Sequence, residues 1–491
     1  MALEKVTTTY GVVVGAPRGD STVFRGIPYA KPPVGARRFA PPEAPDAWEG
    51  ERICKEFAPA CIQGRRPGEP VCDISEDCLY LNVYTPAVSA DEKLPVLFWI
   101  YGGGFSGGSS SNPEFDGEAI NRRGAILVTI NYRCNVLGFF AHPELEKKYG
   151  HNSSLGILDQ IAALKWVREN IAFFGGDPER VLVFGQSAGG ISVRMLLCSP
   201  LAKGLFSRAV VESGGGLNEA DPILPQEEFS AFCQRCMERL GWSFEDIMAR
   251  DAEEVSRSMD QAAREVIGGF AVGYFQPFLD GCAITDVPGK LIKRGEYMDI
   301  PIICGTVAGD SWMFTRLVRE QLRDNTPFFR GFSYAPGEAW ARWQTRAGRT
   351  PIYTYYMDRK QPGGGPSHTG HRPAARHDGP PYGAGTFHGS EIAYVFGRLG
   401  WKGEHIGAPF SELDHQMSKA MTDYWVNFAK NGDPNGEGLP LWPKHTDETP
   451  FAMHFGDDGW RAENIVLTHD EERTLEHTIR NPGMLDTVEG L

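Results

Sequence analysis

The chain has 491 residues, of which 41% are hydrophobic and 23% are charged, so it is long enough to bury a large core. Its formal net charge of −14 opposes the phosphate backbone of nucleic acids, and we expect no nucleic-acid partner. No apolar run has the length that crosses a bilayer, so no membrane span is predicted.

The first ten residues, MALEKVTTTY, lack the basic and apolar stretches of a secretory signal. The compartment therefore stays open: secreted or periplasmic if a signal peptide was removed, and otherwise cytoplasmic. Ten cysteines allow a few disulfides but are too sparse for a disulfide scaffold. Cys233 and Cys236 form a CxxC motif in a helix-like segment, where packing or a bridge is favoured over a redox or metal role.

Strand-like and helix-like segments alternate along the chain. The strand-like runs cover 79–86, 95–105, 125–133, 180–184, 208–212 and 301–305. The segment 155–171 has the spacing of a buried helical stripe, and a mainly helical, acidic stretch runs from 225 to 267. This alternation predicts an α/β fold with a large, mostly parallel central sheet and helices on both faces. In such folds, ligands bind at the carboxyl ends of the strands.

The stretch VFGQSAGG (183–190) contains a GxSxG pentapeptide centred on Ser187. A predicted strand precedes it and a predicted helix follows it, which is the order that a nucleophile elbow requires. The glycines at 185 and 189 keep Cβ atoms away from the neighbouring backbone in such a tight turn. We therefore predict that Ser187 is a nucleophile.

A serine nucleophile also needs backbone donors for the oxyanion that forms during acyl transfer. Three glycines follow a predicted strand in WIYGGGF (99–105), as in glycine loops that donate N–H groups to an oxyanion hole. The predicted oxyanion hole consists of Gly103, Gly104 and Ala188. Substrate contacts are predicted for Tyr101 and Phe105 in the same segment.

The predicted base is His388 in GTFHGSE, which follows the serine and the last predicted strands, the chain order Ser, acid, His of α/β hydrolases. Asp310, in GTVAGDSW, is the predicted acid, because a buried carboxylate there would fix the tautomer of the imidazole. Asp280 and Glu391 are rival carboxylates, for which loop or supporting roles are the simpler interpretation.

A Pro/Gly-rich stretch over 361–385 holds three more histidines, His368, His371 and His377. No carboxylate or cysteine spacing supports a metal site among them, and solvated loop histidines are the simpler interpretation. We predict no metal and no organic cofactor.

Together these motifs resemble the type-B carboxylesterases, the family of carboxylesterases, cholinesterases and bacterial para-nitrobenzyl esterases. The similar stretches are FRGIPYAKPPVGARRF (24–39), EDCLYLNVYTP (76–86), WIYGGGF, LGILDQIAALKWVRENIAFFGGDP (155–178), GQSAGG, FHGSE and YWVNFAKNGDPN (424–435). The resemblance covers nearly the whole chain. It implies one α/β-hydrolase domain over 1–491, with cap-like insertions around 54–78, 217–300 and 311–385.

The resemblance implies a serine carboxylesterase in which Ser187, Asp310 and His388 form the catalytic triad. It also assigns supporting roles near the triad, a disulfide and an acyl pocket. The residues concerned are Ser213 beside the triad, Cys61 and Cys78 in the disulfide, and Gly273 and Phe275 in the pocket. Gly273 suggests a roomier pocket than two aromatic residues would give.

Two positions depart from the usual family sequence. Glutamate is common at position 186, where its charge favours cationic substrates, and Gln186 removes that charge. We therefore predict that Gln186 contacts a substrate that is not cationic, since the loop 61–78 also lacks the tryptophan that binds quaternary ammonium in cholinesterases. The acid is usually glutamate in a DEG-like sequence, whereas Asp310 follows Gly309 and is shorter by a methylene group. Aspartate can do the same work if the backbone lies closer.

The predicted substrate is a small-molecule ester, hydrolysed by a monomer or homodimer. Arginines in two loops favour anionic esters if they line the site, although a solvated charged rim is the simpler interpretation; they are Arg65, Arg66, Arg372 and Arg376. A specialised aryl or polyphenol ester hydrolase and an amidase stay open. A non-catalytic adhesion relative is less favoured, because the serine, the histidine and the glycine loop are all present.

Overall fold

The computed structural model describes residues 2–64, 72–217, 223–268, 273–310, 334–362 and 386–467, together with 472 and 475–476. Within these residues the strands are β1 Lys5–Thr7, β2 Val12–Val14, β3 Ala16–Arg18, β4 Ser21–Pro28, β5 Glu51–Ile53, β6 Ala60–Cys61, β7 Ile74–Ser75, β8 Tyr80–Thr85, β9 Leu94–Ile100, β10 Ile126–Ile130, β11 Gly176–Gln186, β12 Arg208–Glu212, β13 Ile302–Val307, β14 Ile352–Met357, β15 Ala452–Gly456 and β16 Gly459–Glu463.

Thirteen α-helices accompany these strands in the described ranges, and short 3₁₀ turns connect some of them. The helices are α1 Glu118–Asn121, α2 Asn135–Gly138, α3 Pro143–Tyr149, α4 Leu155–Asn170, α5 Ala188–Cys198, α6 Gln226–Leu240, α7 Phe244–Ala249, α8 Ala252–Ile267, α9 Pro288–Arg294, α10 Tyr334–Arg346, α11 Ile392–Val395, α12 Leu399–Ile406 and α13 Glu412–Asn431.

One large sheet organises the chain, with the strand order β16-β15-β14-β13-β12-β11-β9-β10-β8-β4-β3. The seven strands from β15 to β10 run parallel. The strands at both edges, β16 on one side and β8, β4 and β3 on the other, pair antiparallel. The predicted mostly parallel sheet is therefore confirmed, with a mixed character at its edges.

The central strands are buried on both faces. Every residue of β10 and β13 is buried, as are all residues of β9 after Leu94. Because successive side chains of a strand point to opposite faces, such unbroken burial requires cover on both sides of the sheet. Helix α5 packs on β11 and β12, and α13 packs on β9 and β11.

The helical stripe predicted in 155–171 is the buried face of α4. Ile157, Ile161 and Leu164 are all within 2% of full burial, as their spacing of one helix face requires. The fold brings the carboxyl ends of β9, β11, β12 and β13 to one edge of the sheet, because these strands are parallel neighbours. That edge is where parallel sheets bind ligands.

Candidate active site

Ser187 occupies a sharp turn between β11, which ends at Gln186, and α5, which begins at Ala188. Its backbone angles are φ 59° and ψ −124°, a region that costs a non-glycine residue conformational energy. Two hydrogen bonds hold the turn. The Ser187 N–H donates to the Glu212 carbonyl at 2.9 Å, and the Ile191 N–H donates to the Ser187 carbonyl at 2.8 Å.

The glycines of the pentapeptide are required by close backbone approach. A Cβ at Gly189 would lie 2.0 Å from the Ile100 carbonyl oxygen, and one at Gly185 would lie 2.6 Å from the carbonyl carbon of Gly189. Real Cβ atoms do not approach so closely, so any side chain at either position would push the elbow away from β9. The strained serine conformation therefore depends on both glycines.

The glycine run lies directly against the elbow. A Cβ at Gly102 would lie 2.6 Å from the Gln186 carbonyl oxygen and 2.8 Å from the Cβ of Ser187. Gly103 and Gly104 then have φ values of 122° and 61°, which glycine adopts without steric cost. Backbone at this distance from the serine is suited to carry N–H donors for an oxyanion. Ala188 adds the first N–H of α5, which has no acceptor within the helix itself.

His388 and Asp310 are in direct contact, with 2.5 Å between Nδ1 and Oδ1. The second carboxylate oxygen of Asp310 accepts from the Thr306 hydroxyl and, at 3.1 Å, from the Val307 N–H. Burial by itself lowers the pKa of His388, but the charge of Asp310 and its hydrogen bond outweigh burial and raise the pKa above its usual value. Asp310 therefore stabilises the protonated imidazole more than solvent would.

Of the two rival carboxylates, Asp280 is bound within its own neighbourhood. It accepts from the backbone N–H groups of Ser154 at 3.1 Å, Cys282 at 2.9 Å and Ile284 at 2.8 Å. A carboxylate with these partners joins two loops and is not the partner of the histidine. Glu391 is buried near Asp310 and His388, where it accepts from the Ser213 hydroxyl at 3.2 Å.

The short acid reaches the histidine because the backbones lie close together. A Cβ at Gly309 would lie 2.4 Å from the Thr386 carbonyl oxygen and 2.7 Å from the Cα of Phe387. The residue before Asp310 therefore touches the segment that leads into His388. This is the closer backbone that an aspartate in place of glutamate requires.

Gln186 lies beside the imidazole. Only 4% of its surface is exposed, and its Nε2 lies 3.4 Å from Nε2 and 3.5 Å from Nδ1 of His388. A neutral amide thus occupies the position where a charged carboxylate would contact the histidine. Ser213, the other polar residue near the elbow, has a φ of 46°, and its N–H donates to the Gly305 carbonyl at 2.8 Å.

The aromatic residues predicted to bind substrate are all deeply buried. Tyr101 stacks on Tyr132 with 4.5 Å between ring centroids and donates to the Tyr132 carbonyl at 3.3 Å. Tyr101 is thus packed against Tyr132 and Gly108, which favours a role in supporting the loop after the glycine run. Contact between Tyr101 and a substrate stays a prediction. Phe105 packs edge-on against Phe139, and Phe275 packs in a tilted arrangement against Phe232.

Gly273, in the segment predicted to form the acyl pocket, lies against the glycine loop. A Cβ at this position would lie 2.4 Å from the Gly104 carbonyl oxygen, so glycine here permits contact with the glycine loop. The space that a side chain would take at Gly273 is therefore occupied by the backbone of Gly104, so the glycine does not by itself enlarge a pocket. The segment that precedes it, 269–272, lies outside the described residues.

Two buried glutamates, Glu212 and Glu391, lie close to the elbow, and only Glu391 was predicted from sequence as a candidate carboxylate. Glu212, the last residue of β12, accepts from the Trp425 indole N–H at 2.7 Å. Burial raises the pKa of Glu212 to about 8. Burial, together with the charges of Asp310 and Glu212, also raises the pKa of Glu391 to about 8. The sequence signal that could have revealed Glu212 is an acidic residue directly after the apolar run 209–211.

Cys61 and Cys78 form a disulfide with 5.0 Å between their Cα atoms. Cys233 and Cys236 are buried free thiols on α6, and burial raises the pKa of both. In the part of the chain that the structure describes, no group of three or more His, Cys, Asp or Glu residues is arranged to hold a metal ion. No helix in that part is both long and apolar enough to cross a membrane. The loop residues Arg65, Arg66, Arg372, Arg376, His368, His371 and His377 lie outside it.

A serine elbow at the carboxyl edge of a parallel sheet, beside a histidine–carboxylate pair, defines an α/β hydrolase. The chain belongs to the carboxylesterase family, whose sequence model matches residues 2–333 and 332–472. Membership makes the protein a carboxylic ester hydrolase.

Individual relatives support this assignment over nearly the whole chain. The para-nitrobenzyl esterase of Bacillus subtilis (strain 168) is 34% identical, with 97% of each chain covered. The fumonisin B1 esterase of Sphingopyxis macrogoltabida is also 34% identical, over 94% of this chain and 88% of the relative. Among solved structures, a para-nitrobenzyl esterase superimposes with a TM-score of 0.79 at 31% identity, covering 96% of this chain and 99% of the other.

Proposed function

We propose that the protein hydrolyses esters through an acyl-enzyme formed on Ser187. His388 takes the proton from the Ser187 hydroxyl as the oxygen attacks the ester carbonyl, and it returns that proton to the departing alcohol. Water then attacks the acyl-enzyme with His388 again as the base, which releases the acid. Asp310 holds the imidazole in one tautomer and stabilises its protonated form.

The observation that carries this proposal is the contact between His388 and Asp310 beside a strained serine elbow. A carboxylate bound to Nδ1 leaves Nε2 as the nitrogen that can exchange a proton with a substrate or nucleophile. The close approach of Gly102 to Ser187 supports an oxyanion hole formed by Gly103, Gly104 and Ala188. These roles require no metal and no organic cofactor.

The substrate proposed is an uncharged or anionic ester. Gln186 leaves the histidine without the carboxylate that would attract a cation, and it is buried against the imidazole. The names of the relatives range over fumonisin B1, para-nitrobenzyl and cocaine esterases, so membership of the family does not select one alcohol. A preference for anionic esters would assign a specificity role to the arginines of the two loops.

Replacement of Ser187 by alanine tests the nucleophile. The variant should lose hydrolysis of para-nitrophenyl acetate and labelling by a fluorophosphonate probe while keeping its circular dichroism spectrum. Ser207→Ala is the matched control, because Ser207 directly precedes β12 at the end of that strand away from the elbow. This variant should keep both ester hydrolysis and fluorophosphonate labelling. Undiminished turnover by Ser187→Ala would overturn the proposal.

A panel of substrates tests the substrate class. Acetylcholine, its neutral isostere 3,3-dimethylbutyl acetate and a monosuccinate ester differ in charge at similar size, and para-nitroacetanilide tests the amidase alternative. We expect kcat/KM to be higher for the neutral and anionic esters than for acetylcholine. A clear preference for acetylcholine would contradict the interpretation of Gln186.

A further inference from the structure

A segment that contains none of the proposed catalytic residues is hydrogen-bonded to the loop that follows the glycine run. Residues 59–63, at the start of the disulfide loop, lie beside the segment 105–110 that follows the glycine run. The Gln63 side chain joins the two segments. Its Nε2 donates to the Gly108 carbonyl at 2.8 Å, and its Oε1 accepts from the Gly108 N–H at 2.7 Å. One amide thus satisfies both backbone groups of one residue.

Two glycines make room for this pairing. A Cβ at Gly107 would lie 2.4 Å from Oε1 of Gln63, and one at Gly108 would lie 2.3 Å from the ring of Tyr101. Gly108 also has a φ of 141°, a backbone angle that residues with a side chain rarely adopt. The backbone of 107–108 is therefore enclosed by the amide of Gln63 and by an aromatic ring.

Two asparagines tie the same segments together. Asn135 donates from its side chain to the Ile62 carbonyl at 2.6 Å and from its N–H to the Phe105 carbonyl at 2.7 Å. Asn131 donates to the Pro59 carbonyl at 3.0 Å and accepts from the Ser110 N–H at 2.9 Å. Gln63 and Asn131 therefore connect 59–63 with 105–110 through their side chains, and Asn135 does so through its side chain and its backbone N–H.

The connection extends to the proposed oxyanion hole on one side and to the sheet on the other. The Gly103 carbonyl accepts from the N–H of Ser106 at 3.1 Å and from its hydroxyl at 2.9 Å, which closes the turn between the glycine run and 105–110. The disulfide joins Cys61 to Cys78, two residues before β8. Gln63 and the disulfide thus connect the loop that carries the proposed donors to strand β8 of the large sheet.

We propose that Gln63 is a positioning residue for the oxyanion hole, an inference that rests on the function proposed above. Its amide fixes Gly108 and, through the closed turn at Ser106, the orientation of the Gly103 and Gly104 N–H groups. Gln63 acts on the transition state through these groups and does not touch the substrate. The disulfide contributes by fixing the segment from which Gln63 projects.

The test replaces Gln63 with methionine, which is similar in length and makes neither hydrogen bond. Because misplaced oxyanion donors affect the transition state more than substrate binding, kcat should fall about 10- to 100-fold with KM within about twofold. The rate of phosphonylation of Ser187 by a fluorophosphonate should fall by a similar factor, since that reaction also develops charge in the oxyanion hole. Gln234→Met on α6, where the amide binds Ser230 of the same helix, is the matched control.

A second variant separates positioning from folding. Gln63→Glu keeps the acceptor for the Gly108 N–H, but its second oxygen repels the Gly108 carbonyl unless the carboxyl group is protonated, so its kcat relative to that of Gln63→Met should rise as the pH falls. Cys61→Ser combined with Cys78→Ser should lower kcat in the same direction, and adding Gln63→Met should cost less than in the intact protein, because both changes release one segment.

Full kcat and full phosphonylation rate in correctly folded Gln63→Met, with an unchanged concentration of titratable sites, would overturn the inference. Failure of the underlying function gives a different result, since Ser187→Ala would then turn over substrate like the wild type. An inactive Ser187→Ala beside a fully active Gln63→Met rejects the positioning role alone.

Discussion

The α-carbon of Gly309 faces the carbonyl oxygen of Thr386 so closely that an added methyl group would lie 2.4 Å from that oxygen. Gly309 has no positive φ, so alanine is compatible with its backbone and the clash alone decides the outcome. We predict that Gly309→Ala moves the His388 segment away from Asp310 and lowers kcat by about 100-fold, the cost of a misplacement near 1 Å.

Steady-state kinetics and thermal unfolding of this variant check the prediction. Overpacking should also destabilise the fold by about 1–3 kcal/mol. Gly400→Ala on α12 is the matched control, since a Cβ there meets no atom within 4 Å, and it should keep full activity. Equal kcat for the two variants would show that the close approach is not needed for catalysis.

Asp310→Asn should reduce kcat by up to about 10⁴-fold, because the amide no longer fixes the catalytic tautomer. A second effect concerns pH. The charge and hydrogen bond of Asp310 raise the pKa of His388 against the lowering effect of burial, and the base works only when neutral. Removing the charge lowers that pKa, so the residual kcat/KM should persist to lower pH than in the wild type.

The pH profile of kcat/KM distinguishes this role from a structural one. Asp280→Asn, whose carboxylate binds backbone N–H groups, should lower stability and leave the acid limb of the profile in place. A nearly silent Asp310→Asn beside a strongly impaired Glu391→Gln would mean that the acid is misassigned.

Stability should decrease as the pH rises through the range set by the buried glutamates. Burial raises the pKa of Glu212 and Glu391 from 4.5 to about 8, so the folded chain holds protons that the unfolded chain has released. Their contribution to stability is therefore complete below about pH 4.5 and is lost toward pH 8, with a limiting slope of about 1.4 kcal/mol per pH unit for each group.

Glu391→Gln should flatten this dependence, as measured by urea unfolding at several pH values between about 5 and 8. The exposed Glu238→Gln is the control and should keep the wild-type slope. An unchanged slope in Glu391→Gln would contradict the raised pKa.

Gln186→Glu should convert the site toward cationic substrates. The new carboxylate would lie beside His388 in a buried position, where a charge about 4 Å away has a strong effect. We expect the acid limb of the pH profile to move to higher pH, because the negative charge favours the imidazolium. The ratio of kcat/KM for acetylcholine to that for 3,3-dimethylbutyl acetate should rise several-fold, and a constant ratio would exclude a role of position 186 in charge selection.

The sequence predicted the central part of the fold well because strands that are buried on both faces consist of continuous runs of apolar residues. Strand β12 was predicted at its observed bounds, and β8, β10 and β13 within a few residues. No strand before 79 and none after 305 was predicted by position. Several of those strands are short and partly exposed, such as β5 and β16, or mixed in composition, such as β15 with its half-buried His454.

Ser187, Asp310 and His388 could be proposed from sequence because local motifs and chain order identify them. Contacts between distant segments could not. Gln63 and Gly108 are 45 residues apart, and Trp425 and Glu212 are 213 apart, and neither residue type marks its partner in the sequence. The same holds for Gly309, whose importance comes from the proximity of Thr386 and not from its own neighbours in the chain.

The hydrogen bond from Trp425 to Glu212 has a consequence for synthesis of the protein. The Glu212 carbonyl holds the N–H of Ser187, while its side chain is held by a helix that ends only at Asn431. A chain emerging from the ribosome has the serine, the glycine loop and the acid long before this helix. The elbow therefore gains this support only after α13 has been synthesised and has packed against the sheet.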